Sequence, residues 1–194
     1  MTSGPEPEVR RPAEAGDADP PAGAPHDATA ARDGLFALLD AHGIEYRRVD
    51  HPPVYTCEEA RRETPGLPGA ETKNLFVCDA KGRRHFLLAV RPETRVDLKA
   101  LGALLGAGRL RFASSRRLAA LLGLEAGSVT LLGVVNDHDK AVEVVVDADL
   151  WREPAFQCHP LVNTSTLVLS RDGLEGLFAL TGHSPRVVAV PCRA

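Results

Sequence analysis

Two short apolar runs separated by a turn constrain the fold more strongly than any other stretch of this sequence. The runs cover residues 75–78 (LFVC) and 85–90 (HFLLAV), and DAKG follows the first run at residues 79–82. Apolar runs of this length around a glycine-containing turn predict two paired strands. Thr72, Lys73 and Asn74 directly precede the first run. Lys73 is therefore predicted to lie at the mouth of a buried strand, where a fixed cation suits an anionic ligand such as a phosphate. An ordinary surface lysine is the alternative.

Composition divides the chain into a tail, residues 1–30, and a single domain, residues 31–194. The tail is rich in Pro, Ala, Gly and acidic residues. It cannot bury enough apolar surface to offset the entropy lost on ordering, so it is predicted to be disordered. It holds six acidic and two basic residues, a net charge of −4, which leaves +1 for the domain because the whole chain carries −3. A domain so close to neutral could bind nucleic acid only through local basic patches.

Apolar periodicity and turn residues predict an α/β (α+β) protein with strands and helices in mixed order. A capping box formed by Thr56 and Glu59 predicts the start of one short helix. Helices are expected at residues 31–42, 57–62, 98–105, 116–122 and 171–181, with one helical turn at 149–151. Strands are expected at residues 44–49, 75–78, 85–90, 109–113, 129–135, 141–147, 156–159, 164–170 and 187–190. The architecture predicted is one mixed, largely antiparallel, curled sheet with helices packed on it.

Cysteine and acidic residues give no sign of a metal site or cofactor. The four cysteines are scattered and form no CxxC pair, so neither a zinc knuckle nor a disulfide framework is predicted. Residues 137–139 (DHD) resemble metal ligands in composition, but they lie in a predicted turn, where such residues are expected for backbone reasons. No apolar run approaches the roughly 20 residues that span a bilayer, and no signal pattern opens the chain. A cytoplasmic protein without metal, cofactor or membrane contact is expected.

Three polar segments stand at predicted strand ends and are the candidates for a functional site: residues 72–74, 127–130 and 159–164. Gly127 and Ser128 could present backbone N–H groups to a developing oxyanion. His159 could bind a ligand, relay a proton or simply pin a loop. Cys158 is the neighbour of His159, but neighbours on an extended segment point to opposite faces. A thiol nucleophile beside its own base is therefore not predicted.

Three longer motifs occur in a particular order and spacing: TKNLFV at residues 72–77, LGLEAGSVTLLGVVND at 122–137 and HPLVNTSTL at 159–167. In these motifs the sequence resembles the YbaK/ProX family, the free-standing relatives of the editing domain inserted in bacterial prolyl-tRNA synthetases. Within that family it is most similar to the alanyl-tRNA(Pro) deacylase branch. The resemblance extends from Leu35 to the C-terminus and includes HPPVYTCEEA at residues 51–60 and GHSP at 182–185.

The resemblance implies trans-editing, the hydrolysis of the ester that joins mischarged alanine to the 3′-terminal ribose of proline tRNA. A second site is needed because the proline pocket of a synthetase cannot strongly reject a smaller amino acid. The family is thought to position a water without a covalent nucleophile. The residues implied as catalytic are Lys73, which would anchor the terminal adenosine or its phosphate, and His159. Those implied in substrate binding are Thr72, Asn74, Gly127, Ser128, Asn163 and Thr164.

The partner implied is tRNA, gripped at its acceptor stem by Arg109, Arg116 and Arg117, with prolyl-tRNA synthetase as a further partner. Leu131 and Leu132 stand where relatives commonly carry proline and a larger or aromatic residue, so they would alter amino-acid specificity if they reached the pocket. A deacylase for cysteine or another small amino acid and a non-catalytic tRNA-binding module are the alternatives. No GxSxG motif supports a small-molecule esterase.

Overall fold

The computed structural model of the protein describes residues 27–193. Residues 1–26 of the tail predicted at residues 1–30 therefore lie outside the described residues. The described chain confirms the mixed α/β class. Its helices are α1 (Ala28–Ala41), α2 (Cys57–Glu63), α3 (Leu98–Leu104), α4 (Ser115–Leu122), α5 (Ala148–Trp151) and α6 (Arg171–Thr181), with a 3₁₀ helix at Leu131–Asn136. Its strands are β1 (Tyr46–Asp50), β2 (Ala70–Glu71), β3 (Lys73–Asp79), β4 (His85–Val90), β5 (Leu110–Phe112), β6 (Val142–Asp147), β7 (Ala155–Cys158), β8 (Ser165–Ser170) and β9 (Arg186–Val188).

The strands form two mixed sheets, whereas a single sheet was expected. One sheet has the order β1-β8-β7-β2 and the other has the order β5-β3-β4-β6-β9. The predicted hairpin is confirmed as the antiparallel pair of β3 and β4. Because β5 pairs with the other edge of β3, that strand has no free edge left for β1, β7 or β8. Those strands pair among themselves and with β2.

The five-stranded sheet is buried on both faces. Side chains that alternate along β3 and β4 divide between two apolar clusters, with Phe76 and Leu87 in one and Val77 and Phe86 in the other. The cluster around Phe76 continues into residues of the four-stranded sheet and of α6, whereas the cluster around Val77 is covered by α3. The continuous apolar run of β4, which lacks any polar alternation, follows from this burial on both sides.

Helix starts follow the capping patterns in the sequence. The predicted capping box is confirmed, since Thr56 accepts from Glu59 N while the Glu59 carboxylate accepts from Thr56 N. Helix α1 begins at Ala28, three residues before its expected start. Asp27 is its N-cap and accepts from Thr29 N and Ala30 N, which allows the alanine-rich residues after it to be helical.

The strand predicted at residues 129–135 is wrong, because Leu131–Asn136 is a 3₁₀ helix. Thr130 caps it, with its hydroxyl accepting from Leu132 N and its carbonyl accepting from Gly133 N. A short apolar run cannot distinguish a buried strand from a buried helical segment. Leu131 and Leu132 are fully buried in the main apolar cluster. Among the helices of residues 27–193, none is long and apolar enough to cross a membrane.

Candidate active site

A cavity of about 230 Å³ opens beside the point where the chain crosses from one sheet to the other. Only Thr72 separates β2, in the four-stranded sheet, from β3, in the five-stranded sheet. The walls come from the start of α2, the β2–β3 junction, the loop before the 3₁₀ helix, and strands β7 and β8. The lining residues are Val54, Tyr55, Thr56, Cys57, Ala60, Glu71, Thr72, Lys73, Asn74, Gly127, Val129, Gln157, Cys158, His159 and Thr166.

Lys73 lies in the cavity wall, and its side chain is held in place by the turn that follows β4. Its ammonium donates to Pro92 O at 2.7 Å and also to Thr94 O. A lysine ammonium has three N–H donors, so one donor and the positive charge remain for a ligand. The predicted position at the mouth of a buried strand is confirmed, because Lys73 is the first residue of β3.

Lys73 is a cation that a ligand in the cavity would meet, because the acidic residue beside it is already paired with an arginine. Glu71 lines the same wall, but its two carboxylate oxygens each accept from Arg61, from Nε at 2.7 Å and from the terminal nitrogen at 2.7 Å. This two-pronged pairing neutralises the acid beside Lys73. An anionic group of a ligand could therefore approach the wall without meeting an unpaired carboxylate.

Thr72 and Asn74 form one polar wall of the cavity. The Thr72 hydroxyl donates to Gln157 O at 2.8 Å and accepts from Asn74 Nδ2 at 3.2 Å. The first bond joins the β2–β3 junction to β7, which belongs to the same sheet as β2. The amide oxygen of Asn74 is buried and has no hydrogen-bond partner in the described structure, so this wall retains one unused acceptor.

His159 and Thr166 line a further part of the cavity, and His51, which lies outside the lining, contacts both. His51 contacts Pro52 O through Nδ1 at 2.8 Å and Thr166 Oγ1 through Nε2 at 3.0 Å. Its ring packs edge to face against the ring of His159, with 6.3 Å between ring centroids. Thr166 lies on β8 and is only 4% exposed. Neither Thr166, which lines the cavity, nor His51, which supports it, is among the site residues predicted from the sequence, although His51 opens the HPPVYTCEEA motif.

His159 is arranged as a neutral acceptor. Its Nδ1 lies 3.1 Å from Ser165 O, and only a protonated Nδ1 can donate to a carbonyl. Burial lowers the pKa of His159 below its ordinary value of 6.5, with the nearby His51 acting in the same direction and the bond to Ser165 opposing both. The ring is therefore neutral near pH 7, and Nε2 keeps a lone pair that can accept a hydrogen bond.

The loop before the 3₁₀ helix presents a different pair of backbone N–H groups from the pair expected. Gly127 lines the cavity, but Ser128 does not, and Ser128 N donates to Glu125 O at 3.0 Å. That turn bond removes Ser128 as a backbone donor to an oxyanion. Within residues 27–193, the N–H groups of Gly127 and Val129 have no backbone acceptor, and both residues line the cavity.

Asn163 and Thr164 lie outside the cavity lining and act through their backbone. Asn163 O accepts from Val54 N at 3.0 Å, and Thr164 O accepts from His51 N at 2.9 Å. The two carbonyls thereby fix residues 51–54, of which Val54 lines the cavity. Neither residue lines the cavity, so the role in substrate binding that the resemblance implied for both would be indirect.

The three predicted tRNA-binding arginines have different positions. Arg109 and Arg116 are exposed, but Arg117 is only 3% exposed. Arg117 donates to Gly82 O at 2.8 Å and to His85 Nε2 at 3.1 Å, so its prediction as a phosphate contact is wrong. Successive residues on a helix lie about 100° apart, which turns Arg116 outwards and Arg117 inwards. Residue 82 has a φ of +62°, which favours glycine, and a Cβ there would also lie 2.6 Å from the Arg117 guanidinium.

The thiols near the cavity are poor nucleophiles. Burial raises the pKa of Cys158 to about 12, which keeps this thiol protonated. Burial is also the main cause that raises the pKa of Cys57, with the charge of Glu71 adding to it. Since the thiolate is the reactive form, covalent catalysis by either cysteine is disfavoured.

Asp137, singled out in the sequence for its metal-like surroundings, has a structural role. Its carboxylate accepts from Ala141 N at 3.0 Å and Val142 N at 2.8 Å, and it contacts His183 Nε2 at 3.1 Å. These bonds hold the turn that leads into β6. Across residues 27–193, no three His, Cys, Asp or Glu side chains gather in a geometry that could hold a metal ion.

Comparison with known proteins relates this geometry to a family. Residues 51–177 match the profile of the aminoacyl-tRNA editing domain. A relative from Acetoanaerobium sticklandii, named prolyl-tRNA editing protein ProX, is 37% identical over 158 residues, which cover 81% of this chain and 96% of the relative. A relative from Danio rerio, named prolyl-tRNA synthetase associated domain-containing protein 1, is 35% identical over 160 residues, covering 81% of this chain and 86% of the relative.

A third relative and a solved structure extend the comparison. The multifunctional Ser/Thr-tRNA deacylase ProXp-y of Escherichia coli K12 is 31% identical over 98 residues, covering 49% of this chain and 58% of the relative. The solved structure of a candidate trans-editing enzyme for prolyl tRNA synthetase is similar in fold, with a TM-score of 0.64, 22% identity, and coverage of 87% of this chain and 98% of that one. The predicted enzyme class, an aminoacyl-tRNA deacylase, agrees with these relatives. The chain belongs to the aminoacyl-tRNA editing domain family.

Proposed function

We propose that this protein is a trans-editing deacylase that hydrolyses alanine from mischarged proline tRNA. The observation that carries the proposal is the cavity at the junction of the two sheets, which Lys73 and His159 line together. The first offers a fixed cation to the phosphate-bearing end of a tRNA, and the second offers a neutral acceptor to a water. Membership of the editing family supplies the reaction class, the hydrolysis of an aminoacyl ester.

In the proposed reaction, water is the nucleophile. The Nε2 atom of His159 accepts a hydrogen bond from the water, whose oxygen attacks the ester carbonyl carbon. The N–H groups of Gly127 and Val129 then stabilise the oxyanion that develops on the carbonyl oxygen. The ester bond breaks, the ribose oxygen leaves as a hydroxyl with a proton from the water, and the amino acid departs as a free acid. No covalent enzyme intermediate is needed, in keeping with the protonated thiols of Cys57 and Cys158.

The floor of the cavity fits a small amino acid. Its most buried lining residues are Val54, Cys158 and Thr166, each no more than 4% exposed. The bulkier Leu131 and Leu132, whose position raised the question of specificity, lie in the core and outside the cavity lining. We therefore assign selection by size to the floor residues, and we expect proline to be rejected there.

Replacing Val54 by alanine is expected to relax this selection. Removing two methyl groups from the floor should increase the rate with threonine or proline, relative to alanine, by about tenfold, the usual worth of a methylene-sized difference. Single-turnover hydrolysis with each amino acid measures the ratio. Val134→Ala is the matched control, because Val134 is equally buried at 1% exposure but does not line the cavity. An unchanged ratio in Val54→Ala would remove Val54 from the selecting floor.

The proposed state of His159 predicts a particular pH dependence. The pKa of His159 is lowered below 6.5. The enzymatic rate should therefore stay level through neutrality and fall only when the pH drops towards this lowered pKa. Stability should decrease in the same window, since the unfolded imidazole binds a proton at a higher pH than the buried one. Rates corrected for spontaneous ester hydrolysis, measured across the acid side of neutrality, check this. His159→Gln should be slow and lack the acid limb, and an unaltered limb would exclude His159.

The test of the proposed function is single-turnover deacylation of proline tRNA charged separately with alanine, cysteine, serine, threonine and proline. Fast release of alanine with proline spared supports the proposal. Fast release of serine or threonine would keep the reaction and move the specificity towards that of the named Escherichia coli relative. Binding of tRNA without any hydrolysis would favour the non-catalytic tRNA-binding module instead.

The partners beyond the aminoacylated end are part of the same proposal. Arg109 and Arg116 are exposed and can contact acceptor-stem phosphates, whose binding weakens as salt is added. Leu110 pairs with Asp79 at the end of β3 opposite to Lys73, six residues along the strand. Arg109 is therefore about 20 Å from Lys73 along β3, a span that a tRNA acceptor arm can bridge. A cytoplasmic location and contact with prolyl-tRNA synthetase complete the proposal.

A further inference from the structure

The size of the cavity limits how much of the substrate can enter it. Its volume of about 230 Å³ is below the roughly 300–1,000 Å³ typical of pockets that enclose a drug-sized ligand. An aminoacyl group with its ribose would occupy most of this space. The base of the terminal nucleotide must then lie outside, against the rim of the cavity.

An exposed aromatic side chain stands on that rim. Tyr55 lines the cavity and yet is 69% exposed, the largest exposed fraction among the bulky apolar residues of the described chain. An aromatic ring left in water at the mouth of a cavity has apolar area to bury against a ligand. The exposed ring is unlike the other apolar residues of the lining, because Val54 and Cys158 are buried.

The backbone that carries the ring is fixed. Tyr55 N donates to Glu59 Oε2 at 2.7 Å, and Thr56 N donates to the same oxygen at 3.1 Å. Tyr55 therefore takes part in the capping interaction at the start of α2 and precedes its N-cap residue. A ring carried by a fixed backbone loses little conformational freedom when a ligand covers it.

The residue that faces the ring leaves space beside it. A Cβ added at Gly127 would lie 3.5 Å from Tyr55 Cδ1, which is van der Waals contact with the edge of the ring. Because residue 127 is glycine, no side chain covers that edge. The loop that offers backbone N–H groups to the ester thus approaches the ring without closing over it.

We propose that Tyr55 is the stacking platform for the terminal adenine base of the tRNA 3′ end. This rests on the proposed function, in which the substrate is an aminoacyl-tRNA. The ester enters the cavity beside Lys73 and His159, and the base lies on the Tyr55 ring at the mouth. Aromatic stacking with a single-stranded base is the usual means by which proteins hold one without reading its hydrogen-bonding edge.

Variants of Tyr55 test the stacking in single-turnover deacylation of alanyl-tRNA(Pro). Tyr55→Ala should raise the half-saturating enzyme concentration about tenfold to a hundredfold, with a smaller change in the saturating rate, whereas Tyr55→Phe should stay close to the unmodified protein. Phe112→Ala is the matched control. Phe112 is 61% exposed and pairs with Val77, about 13 Å along β3 from Lys73. Equal half-saturation for Tyr55→Ala and the unmodified protein would overturn the proposal.

A stable analogue separates this inference from the proposed function. The probe is adenosine carrying alanine through a 3′-amide, which cannot be hydrolysed as an ester, and its binding is measured by calorimetry. The unmodified protein should bind it, Tyr55→Ala should bind it at least tenfold more weakly, and the same analogue with the base removed should bind both proteins equally weakly. No binding to the unmodified protein, or no difference between the proteins, overturns the stacking. Failure to hydrolyse any aminoacyl-tRNA while these differences persist would refute only the deacylase proposal.

Discussion

Lys73→Ala is expected to lower kcat/KM for alanyl-tRNA(Pro) by about 100-fold to 1,000-fold, because it removes the cation that holds the phosphate-bearing end of the substrate, and losing one partner of a hydrogen-bonded charge pair costs about 2–5 kcal/mol. The bonds to Pro92 O and Thr94 O hold the ammonium in the cavity wall, so its charge meets the substrate without reorganisation. Removing it also leaves two carbonyls without a donor, and the free energy of unfolding should fall by about 1–2 kcal/mol. Single-turnover kinetics and denaturant unfolding of the same preparation measure both effects.

Lys81→Ala is the control for this prediction. Lys81 is an exposed lysine in the turn between β3 and β4, at the other end of the strand that begins with Lys73. It removes the same charge from the chain and should change neither rate nor stability appreciably. If Lys73→Ala turned over at the rate of the unmodified protein, the role of Lys73 would be limited to stabilising the turn at residues 91–94. A protein that no longer folds would leave the comparison to Lys73→Met, which keeps the length of the side chain.

Gly102→Ala is expected to be the most destabilising single methyl addition among the described glycines. A Cβ at residue 102 would lie 1.8 Å from Gly108 O and 3.3 Å from Leu110 Cγ. Gly108 leads directly into β5, and Leu101 of α3 packs in the same apolar cluster as Leu110, so relief of the clash requires a shift of α3 or of the start of β5. We expect a loss of about 3 kcal/mol, at the upper end of overpacking costs, and a fall in Tm of about 6–12 °C.

Gly34→Ala provides the opposite result for the same chemical change. Gly34 lies inside α1, and nothing comes within 4 Å of a Cβ built there. Alanine has the higher helix propensity, so Tm should rise with a gain of about 0.5–1 kcal/mol. Thermal unfolding of the two variants side by side checks the contrast. A Gly102→Ala protein that melts with the unmodified one would mean that α3 and β5 pack less closely than the structure shows.

The elements that the sequence predicts well are those determined by neighbours in the chain. The β3–β4 hairpin depends on two apolar runs and one turn, and the start of α2 depends on Thr56 and Glu59, so local patterns suffice. Which strands pair does not depend on neighbours. The parallel pair of β4 and β6 is formed by residues more than fifty positions apart, and the division into two sheets follows from such pairs.

The candidate site shows the same division. The cavity lining brings together residues from three separate segments of the chain: Thr72, Lys73 and Asn74, Gly127, and His159. Side-chain direction and prior hydrogen bonding could not be read from the motifs. Arg117 points inwards and contacts His85, and the N–H of Ser128 donates to Glu125 O within a turn. Thr166 lines the cavity although it lies on β8, whose sequence is typical of a buried strand. Each depends on a contact that only the folded chain makes.

The single residue between β2 and β3 has a mechanical consequence. Because Thr72 alone separates β2 from β3 along the chain, Glu71 and Lys73 belong to different sheets. A shift of one sheet relative to the other would therefore change the distance between these two residues and the width of the cavity mouth beside Tyr55. A substrate bound in the cavity would contact residues of both sheets and so restrict their relative movement. The protein should then become more rigid when occupied, with backbone amides of β3 and of β7 exchanging their hydrogens more slowly together.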